Sequence, residues 1–79
     1  MNVRVLLFAS YADAFGTDAI DVEIAEPGRV RDVLQAVQRR APGALPPAPM
    51  MAVNSEYATL DQAVTGSDEV AIIPPVAGG

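Results

Sequence analysis

Pro27-Gly28-Arg29-Val30-Arg31-Asp32-Val33-Leu34-Gln35-Ala36-Val37-Gln38-Arg39-Arg40 is the stretch on which the fold turns. Pro27-Gly28 breaks whatever precedes it. Val30, Val33, Leu34 and Val37 then recur at the i, i+3, i+4, i+7 spacing that places four apolar side chains on one face of a helix. The spacing predicts one main helix over residues 29 to 40. Asp32 in the first turn and Arg39-Arg40 in the last complement the helix dipole, whereas Arg29 and Arg31 sit at its positive end and do not. Contact with a partner and plain solvated charge are both open for that pair. An apolar stripe of this width has to be covered, and the flanking sequence supplies strands to cover it.

Upstream, residues 2 to 9 put Val3, Val5 and Leu7 on one side and Arg4, Leu6 and Phe8 on the other, the period of two expected of a strand. A turn around Gly16-Thr17-Asp18 leads to Ile20, Val22 and Ile24 alternating with Asp21 and Glu23, a half-buried second strand hairpinned to the first. Downstream, Pro42-Gly43-Ala44-Leu45-Pro46-Pro47-Ala48-Pro49 cannot continue a helix, because proline lacks the backbone donor and clashes with the preceding turn. Met51-Ala52-Val53 reads as a short strand, Asn54-Ser55-Glu56 as a turn and Tyr57-Ala58 as a brief return strand. Leu60 and Val64 bracket a short helical or irregular segment. Glu69 to Ile73 alternate again, and Pro74-Pro75 end the sheet.

The order is strand, strand, helix, strand, short strand, strand, and the helical segment is long enough for a parallel crossover. The fold class is therefore α+β: a mixed sheet of four to five strands, first and last paired at the centre, with one main helix on one face. The ubiquitin-like β-grasp satisfies this pattern; an ordinary α+β sandwich is the alternative. Residues 1–75 form the domain and residues 76–79 a flexible C-terminal Gly-Gly tail.

Composition removes most chemistry from the chain. With no Cys, His or Lys among 79 residues there is no disulfide, no conventional zinc site and no Schiff-base or phosphate-binding lysine. A net charge of −5 repels a phosphate backbone, which argues against nucleic acid. No apolar run approaches the roughly 18 residues that cross a bilayer, so neither membrane nor export is expected, and the cytoplasm is.

Two features remain. If the helix covers the Val3, Val5, Leu7 face, then Leu6, Phe8, Tyr57 and Ile73 crowd the opposite face, which is either a docking patch or covered by a loop. Beyond Pro74-Pro75, the small residues Val76 and Ala77 and the bare backbone of Gly78-Gly79 form a thread narrow enough to enter another protein's active site, since any Cβ would meet the walls of a tunnel. Its reactive group is the terminal carboxylate of Gly79. A carboxylate resists nucleophiles until it becomes a mixed anhydride with AMP, and sulfur attack on that adduct leaves a thiocarboxylate without any carrier Cys.

Leu7-Phe8-Ala9 with Gly16, Ala52-Val53-Asn54, and above all Asp68-Glu69-Val70-Ala71-Ile72-Ile73-Pro74-Pro75-Val76-Ala77-Gly78-Gly79 resemble the small subunit of molybdopterin synthase, a β-grasp sulfur carrier. The resemblance implies that Gly79 is adenylated by an activating enzyme using ATP and Mg, then thiocarboxylated from a sulfurtransferase donor. The sulfur passes to a cyclic pyranopterin in the large synthase subunit. It further implies a noncatalytic chain without bound cofactor or metal, and partner contacts at Phe8, Tyr57, Ile73, Pro74 and Pro75. Tyr11-Ala12-Asp13, where Leu-Arg-Glu is common, and a helix opening at Arg29 without a Ser or Thr cap depart from the family pattern. Related carriers for thiamine or cysteine synthesis, a ubiquitin-like protein modifier, and a plain interaction domain stand as alternatives.

Overall fold

The computed structural model describes residues 1–75. Nine elements follow one another: β1 (Asn2–Leu7), α1 (Ala9–Phe15), β2 (Ala19–Glu23), β3 (Gly28–Arg29), α2 (Val30–Arg40), β4 (Met50–Val53), β5 (Glu56–Ala58), β6 (Ala63–Val64) and β7 (Glu69–Ile73). Five strands form a sheet in the order β2-β1-β7-β4-β5, and β3 pairs with β6 apart from it. The central pair is parallel, with Val5 opposite Val70 and Leu7 opposite Ile72, while β2, β4 and β5 join antiparallel. It follows that β2 and β4 run the same way, and α2 is the crossover between them, as its length predicts.

The inner face is the apolar one that alternation marks out. Val3, Val5 and Leu7 of β1, Val22 of β2, Met51 and Val53 of β4, and Val70 and Ile72 of β7 meet Val30, Val33, Leu34 and Val37 of α2 in one buried cluster. Each such side chain contributes about 1.5–3 kcal/mol relative to leaving it in water. This is the ubiquitin-like β-grasp architecture. Among the described residues no helix is long and apolar enough to cross a membrane.

Three local findings differ from the sequence reading. First, the β1–β2 connection is not a simple turn: β1 ends at Leu7, and α1 occupies Ala9–Phe15. Its end is set by Gly16, whose φ of 73° is open to glycine at no steric cost, and the N–H groups of Gly16 and Thr17 fold back to the Asp13 and Ala12 carbonyls at 3.3 and 3.2 Å. Tyr11 of α1 is buried in the core and Ala12 packs against it. Second, Gly28 is a strand residue packed so closely that a Cβ would lie 2.6 Å from Ile24 Cδ1 and 2.9 Å from Met1 Cε. Third, the segment from Leu60 to Val64 is no helix: it turns and then forms β6.

That segment also explains the two arginines. The Val30 and Arg31 N–H groups at the start of α2 donate to the Gln62 and Leu60 carbonyls at 2.9 and 3.0 Å. Arg29 donates to the Asp61 carbonyl at 3.2 Å, and Arg31 pairs with the Asp61 carboxylate. The missing Ser or Thr cap is replaced by Asp32, whose carboxylate accepts the Arg29 N–H at 2.8 Å, and by the carbonyls of a neighbouring loop.

Candidate functional site

Because the inner face is filled by α2, alternate residues of the sheet are left on the outer face. Leu6 on β1, Ala71 and Ile73 on β7, Ala52 on β4 and Tyr57 on β5 point the same way, since Ala52 lies opposite both Ala71 and Tyr57. Phe8 closes the end of the group. It has left the strand and stands at the N-terminal boundary of α1 with extended backbone (φ −128°, ψ 154°). Together with Ser55 and Glu69 these residues line one hollow. Phe8 is 44% exposed and Tyr57 73%, so of the two readings of this face, a covering loop does not apply among the described residues. A face of a small sheet that meets water is ordinarily polar.

The hairpin that carries Tyr57 is held in place by a polar clasp. Asn54 (φ 50°) and Ser55 (φ 71°) make a tight turn of the left-handed kind that Asn tolerates. The Asn54 N–H donates to the Glu69 carbonyl at 2.8 Å, and Asn54 Oδ1 accepts the Glu69 N–H at 3.0 Å. Asn54 Nδ2 donates to Asp68 Oδ1 at 2.9 Å, while Asp68 Oδ2 accepts the Thr65 N–H at 2.8 Å. The Asn54 amide, and after it the Thr65 N–H, hold the Asp68 carboxyl below the usual carboxylate range. The clasp fixes Ser55 and Tyr57 relative to Glu69 at one rim of the hollow.

At the opposite end the hollow runs into a second one, lined by Tyr11, Pro46, Ala48, Pro49, Met50, Ile73 and Pro75. Ile73 faces both. The chain therefore leaves the sheet at the seam, with Pro74 half-buried and Pro75 exposed. Val76, Ala77, Gly78 and Gly79, the expected thread, lie outside the described residues.

The structure thus brings Phe8, Tyr57 and Ile73 together and sets Pro74 and Pro75 beside them. Sequence reasoning did not single out Met50, Ala52, Ala71, Ser55 and Glu69. Alternation in β4 and β7 was a usable signal for the first three; Ser55 and Glu69 enter through the clasp, which pairs residues about fifteen positions apart and leaves no periodic trace.

Comparison with known proteins places this geometry. The family model described as ThiS family matches residues 5–79. The molybdopterin synthase sulfur carrier subunit of Escherichia coli (strain K12) is 36% identical, over 98% of this chain and 99% of that one. Among solved structures, Haloferax volcanii small archaeal modifier protein 1 superposes with a TM-score of 0.83 at 28% identity, covering 95% of this chain and 98% of the other. At the level of fold alone, a chain in the complex of subunits 1 and 2 of molybdopterin-converting factor from Helicobacter pylori 26695 gives a TM-score of 0.68 at 18% identity, covering 100% of both. Matched almost end to end in sequence and carrying the β-grasp fold with its outer apolar hollow, this chain belongs to the ThiS family.

Proposed function

We propose that this chain is the sulfur-carrying small subunit of a molybdopterin synthase, acting in molybdenum cofactor biosynthesis. The observation that carries the reading is its end-to-end similarity to a molybdopterin synthase sulfur carrier subunit. The outer hollow supports it, because it lies where β7 delivers the chain toward Gly79. In this reading the chain catalyses nothing by itself and holds no cofactor. An ATP- and Mg-dependent partner adenylates the Gly79 carboxylate, and a sulfurtransferase supplies the sulfur that displaces AMP. The resulting thiocarboxylate enters the large subunit and gives its sulfur to a cyclic pyranopterin.

The protein's contribution is delivery. Phe8, Tyr57 and Ile73 supply apolar surface for a partner to cover, and aromatic residues are effective anchors in such interfaces. Pro74-Pro75 carry the chain off the sheet in an extended direction, and Val76 to Gly79 thread the active site. The assembly belongs in the cytoplasm, where ATP is available. The likeness to a small archaeal modifier protein keeps attachment to a protein amine as a second reading. Reconstitution separates them: with the large subunit, an adenylating enzyme, ATP-Mg, a sulfur donor and the cyclic pyranopterin, dithiolene product forms only when this chain is present. Product formation without it, or exclusive transfer of the chain onto protein lysines, would falsify the carrier assignment.

A further inference from the structure

All five basic side chains are arginines, Arg4, Arg29, Arg31, Arg39 and Arg40, and the sequence holds no Lys, Cys or His. A guanidinium stays protonated and does not attack acyl groups. Hydroxyls of Ser, Thr and Tyr are weak nucleophiles without an adjacent base, and His, the commonest one, is absent. The primary amine of this sequence is therefore the α-amino group of Met1.

That amine is held. The Met1 ammonium lies 2.8 Å from Glu23 Oε2 and donates to the Ile24 carbonyl at 2.6 Å. The Met1 carbonyl accepts the Ile24 N–H at 2.9 Å, so the residue prolongs the β1–β2 ladder. Its side chain is only 7% exposed and lies against Gly28, where any Cβ would collide with it. The topology adds distance. β1 and β7 are parallel, so Met1 stands at the end of the sheet opposite the one from which the chain departs after Ile73. The separation along β1 is roughly 20 Å, about the full reach of the residues that follow Ile73.

We infer that this chain is a non-acceptor of its own activated terminus, an inference resting on the reading of Gly79 as an acyl adenylate. Self-acylation needs the neutral amine nitrogen to attack the Gly79 acyl carbon. An N–C amide bond forms, the C–O bond to the AMP phosphate breaks, AMP leaves, and the amine's proton passes to solvent. Within one molecule the tail would have to lie fully extended back along the sheet. Between two molecules, Met1 would first have to release Glu23 and Ile24 and lose its proton. The activated acyl group is thus left to an external nucleophile such as the sulfur donor, and copies of the carrier do not consume one another.

The test has two arms on the full chain with Met1 as its first residue. In the first, the folded protein is treated with the N-hydroxysuccinimide ester of acetic acid and followed by intact mass. Met1 acetylates at least about tenfold more slowly than in the urea-unfolded chain, and Glu23→Ala narrows that gap. Equal folded and unfolded rates overturn the inference. In the second, the adenylating enzyme and ATP-Mg are supplied without sulfur donor, and hydroxylamine in a parallel sample traps the adenylate as a hydroxamate. Wild type yields hydroxamate and no species of two chains less one water, whereas Q35K, with a lysine on the exposed side of α2, forms it. Wild-type conjugates joined through Met1, or a Q35K chain as silent as wild type, overturn the inference. A wild-type chain that gives no hydroxamate contradicts the proposed function instead, and the ester arm then decides the sequestration alone.

Discussion

Replacing Tyr57 by Ala strips the outer hollow of its most exposed aromatic side chain while leaving the inner core untouched. An aromatic side chain carries about 200 Å² of surface, and at 73% exposure roughly 150 Å² of Tyr57 is left for a partner to cover. At about 25 cal/mol per Å² that area is worth roughly 3.5 kcal/mol if docking buries it completely. Rim water and side-chain ordering reduce the figure, so the expected loss in binding to the large synthase subunit is about 2 kcal/mol or more, a Kd raised by at least about 30-fold. Folding stability should barely respond. Tyr57 sits on the edge strand β5 and contributes little to the core, so urea unfolding should change by less than about 1 kcal/mol. The informative control is Leu7→Ala, adjacent in sequence to Phe8 but 1% exposed on the inner face, which should cost about 2–5 kcal/mol of stability. Calorimetric titration against the large subunit and urea denaturation read the two quantities separately. If Tyr57→Ala binds as wild type does, or if it unfolds the protein as Leu7→Ala does, the outer face is not a docking surface.

Other substitutions probe the parts that present this face. Leu34→Ala on α2 opens a cavity under the sheet and should lower the unfolding free energy by about 2–5 kcal/mol without changing tail chemistry, as urea denaturation and a loading assay together would show. Asp68→Asn removes a carboxylate whose folded-state pKa is depressed, so its stabilising contribution is present above the ordinary carboxylate pKa of about 4 and disappears as pH falls through the lower folded value. Wild type should therefore exceed Asp68→Asn at neutral pH and converge on it in acid; a constant gap across urea titrations from pH 7 to pH 2 would exclude this role of the clasp. Gly28→Ala drives a Cβ toward Ile24 and Met1 and should lower the thermal midpoint by several degrees, whereas the same change at solvent-facing Ala63 to Ser should not.

The parts of this fold that were legible in the sequence are those written in a repeating pattern. Val30, Val33, Leu34 and Val37 announced α2, and Val3, Val5 and Leu7 against Leu6 gave both faces of β1. Helix α1 escaped because seven residues hold less than two full turns of signal and because Phe8 continues the alternation of β1 before the chain turns into the helix. Strands β3 and β6 escaped for a related reason: two-residue strands have no period, and only their mutual pairing defines them. At the candidate site, Phe8, Tyr57 and Ile73 were legible as apolar residues on the wrong face of a half-buried sheet. Ser55 and Glu69 were not, because their placement depends on the Asn54 side chain reaching across to the start of β7. Likewise Arg29 and Arg31 were opaque until the fold brought Asp61 to the start of α2. Long-range hydrogen bonds follow topology, and topology is only partly encoded in local periodicity.

The central claim is that the terminal carboxylate of Gly79 is the group that carries sulfur. It is tested most directly by incubating wild-type chain, and a chain lacking Gly79, with the adenylating enzyme, ATP-Mg and a sulfur donor, followed by intact-mass and fragment analysis. Wild type should gain the mass of one oxygen-to-sulfur exchange, located on the fragment that ends in Gly79, and the shortened chain should gain nothing although its urea unfolding is unchanged. Equal loading of both chains, or a sulfur found on any residue other than the last, would contradict the account.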